Sequence, residues 1–213
     1  MSTMLRMGRK EQVARNREVV LSTAREVFAE RGYGAATLDQ IAEAAGFSKG
    51  VVYSQFDSKA DLFLTVLERR VDERAAHNRR VVEDVDGSIE LDQLVEEFVE
   101  SMLGNDPAWR LAVIEVRVAA ARDEALLDRY RRVHARTVDQ LAEVMTDVLG
   151  RVGIEPVVPP VVIASALLAE DVGITLEVTA SPGVLGRTEL VTLIRQMIFG
   201  GDVPSTLRPR RTR

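Results

Sequence analysis

The sequence has no cysteine. That excludes both a disulfide framework and thiolate chemistry. Histidine is almost as scarce, with only His77 and His134, far apart in the chain. No HExxH, P-loop or GxSxG pattern occurs, and the carboxylates scatter over solvated helix faces without metal-ligand spacing. The inventory therefore argues against an enzyme and gives no reason to expect a metal or cofactor. Long uncharged apolar runs are missing too, so no membrane helix is expected. The opening MSTMLRMGRK is not a secretory signal, and a cytoplasmic location follows as the expectation. Lysine is rare: Lys10, Lys49 and Lys59 are the only three, all in the first sixty residues. That part is mildly basic while the remainder is acidic, within a net charge of −5. A basic head on an acidic body suits contact with nucleic acid at one end only.

What is present is concentrated in residues 37–59, TLDQIAEAAGFSKGVVYSQFDSK. Thr37 and Gln40 form a capping-box pair, and Leu38, Ile41, Ala42 and Ala45 then recur at helical spacing. Gly46 stands where a helix would end in a left-handed residue. Ser48 is the next N-cap, with Phe47 and Val52 at the two positions of a hydrophobic staple. Ser58 and Asp61 open a third helix in the same way. Two short helices around a glycine turn predict a helix-turn-helix, whose second helix enters a DNA major groove. On that helix Lys49, Gly50, Val51, Ser54 and Gln55 surround an inward side of Val52 and Phe56. Lysine suits guanine, glutamine suits adenine, and a valine methyl suits thymine. Gly50 would allow close backbone approach. Tyr53 and Lys59 suit phosphates, which position without specifying. A generic turn between two core helices would need none of this agreement among caps, glycine, staple and basic residues.

Residues 12–71 resemble the DNA-binding domain of the tetracycline-repressor (TetR) family of bacterial transcription regulators. The resemblance rests on Ala42, Gly46, Ser48, Gly50, Tyr53, Phe56, Lys59 and Leu62. Val51 and Gln55 depart from the commonest pattern, which bears on the operator sequence rather than on the fold. The resemblance implies an all-α protein. A three-helix DNA-binding domain would be followed by a helical bundle for ligand binding and dimerisation. The candidate DNA-binding positions are Thr37, Ser48, Lys49, Gly50, Val51, Tyr53, Ser54, Gln55 and Lys59.

The rest of the chain reads as helical throughout. The first helix is expected over 12–31, with Val13, Val20, Leu21, Ala24, Val27 and Phe28 on one face and a stop at Gly32. Ahead of it Arg6, Arg9, Lys10, Arg15 and Arg17 form a basic arm fit for a minor groove, or a solvated terminus. The fourth helix is expected over 59–85, linking head to body, and an amphipathic one over 89–103. Residues 108–122 are apolar on every side, which predicts a buried central helix. Within it Glu115 and Arg117 must pair inside the core or face a wet cavity. A helix over 123–149 follows, its apolar stripe interrupted by His134 and Thr137. The expected organisation is an arm at 1–11, a DNA-binding domain at 12–58, a body at 59–200 and a flexible tail at 201–213.

Residues 161–179 and 188–199 are apolar on more than one face, more than a body this small can bury. Leu168, Val172, Leu176, Leu190, Ile194 and Met197 are the expected dimer contacts. The family resemblance implies the same two helices pairing with their symmetry mates. It also implies an effector cavity among residues 89–149, near Phe98, Met102, Trp109, Ile114, Arg117, Tyr130 and His134. Its large apolar walls favour an apolar or amphipathic small molecule. The expectation is a ligand-responsive regulator, a repressor, binding a palindromic operator as a homodimer. The alternative is a helical small-molecule-binding or interaction module without sequence-specific DNA binding.

Overall fold

The computed structural model describes residues 8–83, 95–96, 100, 106–152, 155–156 and 158–199, with the side chains of 9, 81–83, 152 and 197–199 outside that description. Every regular element among them is a helix. They are α1 (Arg9–Ala35), α2 (Leu38–Ala44), α3 (Lys49–Tyr53), α4 (Lys59–Glu83), α5 (Pro107–Ala120), α6 (Glu124–Val152), α7 (Pro160–Ala180) and α8 (Arg187–Phe199). The amphipathic stretch expected over 89–103, with Phe98 and Met102, lies outside the described residues except for Val95, Glu96 and Glu100. So do most of the expected arm and the whole tail.

Capping chemistry sets the joints of the head. The Thr37 hydroxyl accepts the Gln40 N–H at 3.2 Å, and the Gln40 side chain accepts the Thr37 N–H at 3.0 Å. At its other end α2 closes with Gly46 N–H on Glu43 O and Phe47 N–H on Ala42 O. This pair of bonds is the Schellman arrangement. It needs a left-handed residue, and Gly46 has φ +73°. Ser48 caps α3 through its backbone carbonyl, not its side chain. The Ser58 hydroxyl accepts the Asp61 N–H at 3.0 Å and starts α4.

Helix α1 begins at Arg9, three residues before its expected start, with the Glu11 side chain accepting the Gly8 N–H at 2.8 Å. The expected stop at Gly32 is a kink: φ is +76° there, and one further turn follows. Val13 is half exposed because the first turns of α1 extend beyond the core. Arg17 leaves the expected basic arm altogether. It donates to Gln55 O at 3.3 Å and lies 4.4 Å over the Phe56 ring.

Two apolar clusters fill the molecule. In the larger, Val20, Ala24 and Phe28 of α1 and Leu62, Phe63 and Val66 of α4 meet Trp109, Ala112, Val116 and Ala120 of α5. Head and body thus share one core. The expectation of a centrally buried helix at 108–122 is corrected: α5 buries a single face, while Glu115 and Val118 are exposed. In the smaller cluster Ile163, Ala164, Leu167 and Ile174 of α7 pack on Val138 and Met145 of α6 and on Leu190 and Ile194 of α8.

Candidate DNA interface and ligand cavity

Helix α3 presents Ser48, Lys49, Gly50, Tyr53 and Ser54 to solvent and buries Val52 with the following Phe56. The Lys49 ammonium is 2.5 Å from Asp39 Oδ2, and the Tyr53 hydroxyl donates to Asp39 Oδ1 at 3.3 Å. One carboxylate on the first turn of α2 thereby holds the two outward side chains of α3 side by side. The hydrogen bond from Lys49 lowers the Asp39 pKa, and the same bond raises that of Lys49. Both groups stay charged at neutral pH. At Gly50 an added Cβ would meet only the Ser48 hydroxyl, at 3.9 Å, so nothing inside the protein demands glycine there.

Two expected DNA contacts are placed elsewhere. Lys59 Nζ donates to Tyr33 O at 2.6 Å and to Gly34 O at 3.0 Å, and lies 4.5 Å from the Tyr33 ring centroid. Its charge caps the carbonyls at the end of α1, and burial lowers its pKa. The Gln55 amide is half-buried and donates to Val51 O at 3.1 Å, within its own turn. Val51 is itself half-buried. Asp39 was not foreseen: its partners lie ten and fourteen residues away, outside any helical repeat.

The body encloses a cavity of about 270 Å³ between α4, α5, α6 and α7. Four of the expected side chains line it: Trp109, Arg117, Tyr130 and His134. Ile114 does not; it is half-buried away from the cavity. Phe98 and Met102 lie outside the described residues. Trp109 stacks on Phe63, centroids 5.0 Å apart and planes 13° off parallel, and Phe63 meets Phe28 and Tyr33 edge-on at 5.0 and 5.3 Å. Tyr130 and His134 stack at 5.8 Å. Burial raises the Tyr130 pKa and lowers that of His134, with the Arg117 charge as the second cause in each case, opposing the rise at Tyr130 and adding to the fall at His134. Of the two alternatives, pairing inside the core or facing a cavity, Arg117 follows the second, half-buried on the cavity wall, while Glu115 is exposed. Glu115 instead accepts the Gly34 N–H at 2.8 Å.

The sequence reading missed Arg70, Arg74, Arg110 and Asp171 on the cavity wall. Arg110 pairs with Asp171 at 3.2 Å, and Arg70 lies 5.5 Å over the Trp109 ring. Burial lowers the pKa of Arg70 and Arg74, and each is lowered further by a neighbouring arginine. Burial raises the pKa of Asp171 against the pull of Arg110. The one visible hint was Arg70 and Arg74 themselves, like charges one turn apart between Leu67, Val71 and Ala75, a pairing that an isolated helix disfavours.

The expected dimer contacts divide. Leu190 and Ile194 are fully buried inside the protomer, facing α7. Leu168 and Val172 line the cavity. Leu176 is 47% exposed, and the unforeseen Val162 and Leu193 are 50% and 48% exposed. The side chain of Met197 is outside the described residues.

A three-helix head with α3 exposed on one side, joined to a helical body around a cavity, is an arrangement that suits a DNA-binding head and a ligand-binding body. The model of the tetR family of bacterial regulatory proteins matches residues 20–66. Over those residues the chain is similar to that family's members. It is 37% identical over 121 residues to the transcriptional activator FasR of Mycolicibacterium smegmatis, covering 54% of this chain and 55% of FasR. To the transcriptional repressor AcnR of Corynebacterium diphtheriae it is 31% identical over 128 residues, covering 57% and 66%. The match thus spans about half to two thirds of these relatives' length. Bacillus subtilis FadR, solved in complex with stearoyl-CoA, shares the fold with a TM-score of 0.66 at 14% identity, covering 87% of this chain and 99% of that one. No described helix is long and apolar enough to cross a membrane.

Proposed function

We propose that this chain is a ligand-responsive transcriptional regulator that binds a palindromic operator as a homodimer. The observation that carries the reading is the Asp39 clamp. It holds Lys49 and Tyr53 on the exposed side of a helix whose other side is fully buried. Lys49 reads a base edge, and Tyr53 meets a phosphate. The body supports the second half of the reading. FadR, which shares this fold, was solved with stearoyl-CoA, and the cavity here is near the small end of the ~300–1,000 Å³ typical of ligand sites. A ligand between α4 and α5 presses on Trp109, hence on Phe63 and the core of the head. That shifts the spacing of the two recognition helices between two global states.

Residues 12–58 act as the DNA-binding domain and residues 59–200 as the effector and dimerisation body. The partner surface is the outward face of α7 and α8 around Val162, Leu176 and Leu193, not the buried Leu190 and Ile194. Operator binding places the protein with the chromosome, in the cytoplasm. We assign it repressor polarity; AcnR bears that name, whereas FasR is named an activator.

Footprinting on the promoter beside its own gene, with and without candidate small molecules, tests the reading, and a reporter fused to that promoter reads the sign. A protected inverted repeat that is released by a ligand is the expected result. Absence of any protected sequence would leave the binding-module alternative.

A further inference from the structure

Among the described residues the cavity wall carries four arginines and a single carboxylate. Arg70 and Arg74 come from α4, Arg110 and Arg117 from α5, and Asp171 from α7. Arg74, Arg110 and Arg117 all bear on Asp171, yet only Arg110 hydrogen-bonds it among the described residues. Arg74 and Arg117 have no side-chain hydrogen bond there, and Arg70 rests on the Trp109 ring. Guanidiniums crowded into a partly enclosed space repel one another and lose hydration. The same low-polarity surroundings strengthen attraction to an anion. The remaining wall is mostly apolar, with Leu67, Val71, Val113, Val133, Leu167 and Leu168, and its neutral polar groups are Asn78, Tyr130, His134, Thr137 and Gln140.

We propose that this cavity takes an anionic amphiphile, an apolar chain or ring ending in a carboxylate or phosphate that lies among Arg74, Arg110 and Arg117. The proposal deepens the ligand-responsive reading and rests on it. The acidic group meets planar forks able to bind it bidentately, and the apolar part covers the α6 and α7 walls. Among the described residues a cationic ligand would meet three surplus positive charges, and a neutral one would leave them unanswered. Asp171 competes with the ligand for Arg110, so an incoming anion must displace it or share its arginines.

Trp109 is the only tryptophan and lines the cavity, so its fluorescence reports occupancy of the full-length protein. Four probes with one tail separate the chemistries: octanoate, octyl phosphate, octanol and octyltrimethylammonium. Octanoate or octyl phosphate should shift the emission saturably, at least tenfold more tightly than octanol, and salt should weaken that binding. The tighter of the two names the acid group. Arg74→Gln and Arg117→Gln should each weaken the anion at least tenfold and leave octanol unchanged, with Arg117→Lys recovering part of the loss. Folding of each variant is checked by its melting temperature. Octanol or the quaternary amine binding as tightly as both anions would overturn the charge class. So would anion binding indifferent to both glutamine variants in a folded protein. If a neutral or cationic probe also releases the footprinted operator, the regulator reading survives this failure. A protein that protects no DNA sequence fails that reading, whatever the cavity binds.

Discussion

The indole of Trp109 stacks on the ring of Phe63 with centroids 5.0 Å apart and planes 13° from parallel. One face of the cavity wall is thus also part of the core that holds α3. Trp109 is 4% exposed, and its removal should destabilise by about 3 kcal/mol, the low end for a large aromatic because one side already borders a void. Trp109→Phe should keep the stack and most of the stability. Chemical denaturation of both variants checks this. Arg117→Ala, whose guanidinium supports no described hydrogen bond, should leave the melting temperature near the parent value while blunting the ligand response.

At the end of α1, Gly32 combines a left-handed backbone with close contact. A Cβ there would come within 2.6 Å of Glu115 Oε1, and φ is already +76°. Gly32→Ala should destabilise by the ~1–3 kcal/mol of a backbone region open only to glycine, plus the Glu115 hydrogen bond to Gly34 N–H that is lost as that side chain moves aside. Adding Glu115→Ala should then cost little more, since that hydrogen bond is already lost, and leave the backbone part. A double-mutant cycle by denaturant titration measures the split; a strictly additive pair would contradict this geometry.

The head makes opposite demands on its two lysines. Lys49→Ala should weaken operator binding about tenfold and relax sequence preference. Asp39→Ala should also relax preference by untethering Lys49 and Tyr53, but affinity for non-specific DNA should hold or rise as a carboxylate leaves the interface. Lys59→Ala should lower the melting temperature, since its ammonium caps Tyr33 O and Gly34 O, and leave the salt dependence of binding unmoved. Titrations at several salt concentrations distinguish the three.

Quaternary structure turns on which apolar residues the protomer leaves uncovered. Leu176→Glu and Leu193→Glu should give folded monomers by sedimentation and abolish binding to the palindrome, leaving half-site binding weak. Ile194→Glu should unfold the protomer, since the residue is 1% exposed and a charge there would lack both water and a partner. A folded, dimeric Leu176→Glu/Leu193→Glu protein would move the interface elsewhere.

Burial, then the charge of Arg117, holds the His134 imidazole below the ordinary value of about 6.5. The unfolded chain therefore binds a proton at higher pH than the folded one does. The resulting stability is present above about pH 6.5 and declines as pH falls through that value toward the folded pKa. Asp171 acts in the opposite sense: its raised pKa makes the folded state the tighter proton binder above the ordinary aspartate value of about 3.9. The measurable quantity is thus a difference between proteins. Between pH 7.5 and 5.5, His134→Gln should lose less melting temperature than the parent.

Local chemistry made the head legible in the sequence. Thr37 with Gln40, Gly46 and Ser58 with Asp61 act within a few residues of themselves, so spacing alone placed those joints and the exposed face of α3. Helical periodicity likewise located the long helices and the buried set of α1 and α4. Spacing could not say which of two apolar faces turns inward, because α7 and α8 are apolar on more than one face. Only the closing of one apolar cluster with α6 put Leu190 and Ile194 of α8 in the core, with part of α7, and left Leu176 and Leu193 outside. Charges behaved the same way. Lys59 looked like a phosphate contact until the end of α1 offered it two carbonyls. Four arginines from two helices became one cluster only when α4, α5 and α7 closed around a common space. Caps and repeats are short-range and written in order along the chain. Burial, ion pairing and cavities depend on residues brought together from far apart, and that only the tertiary structure decides.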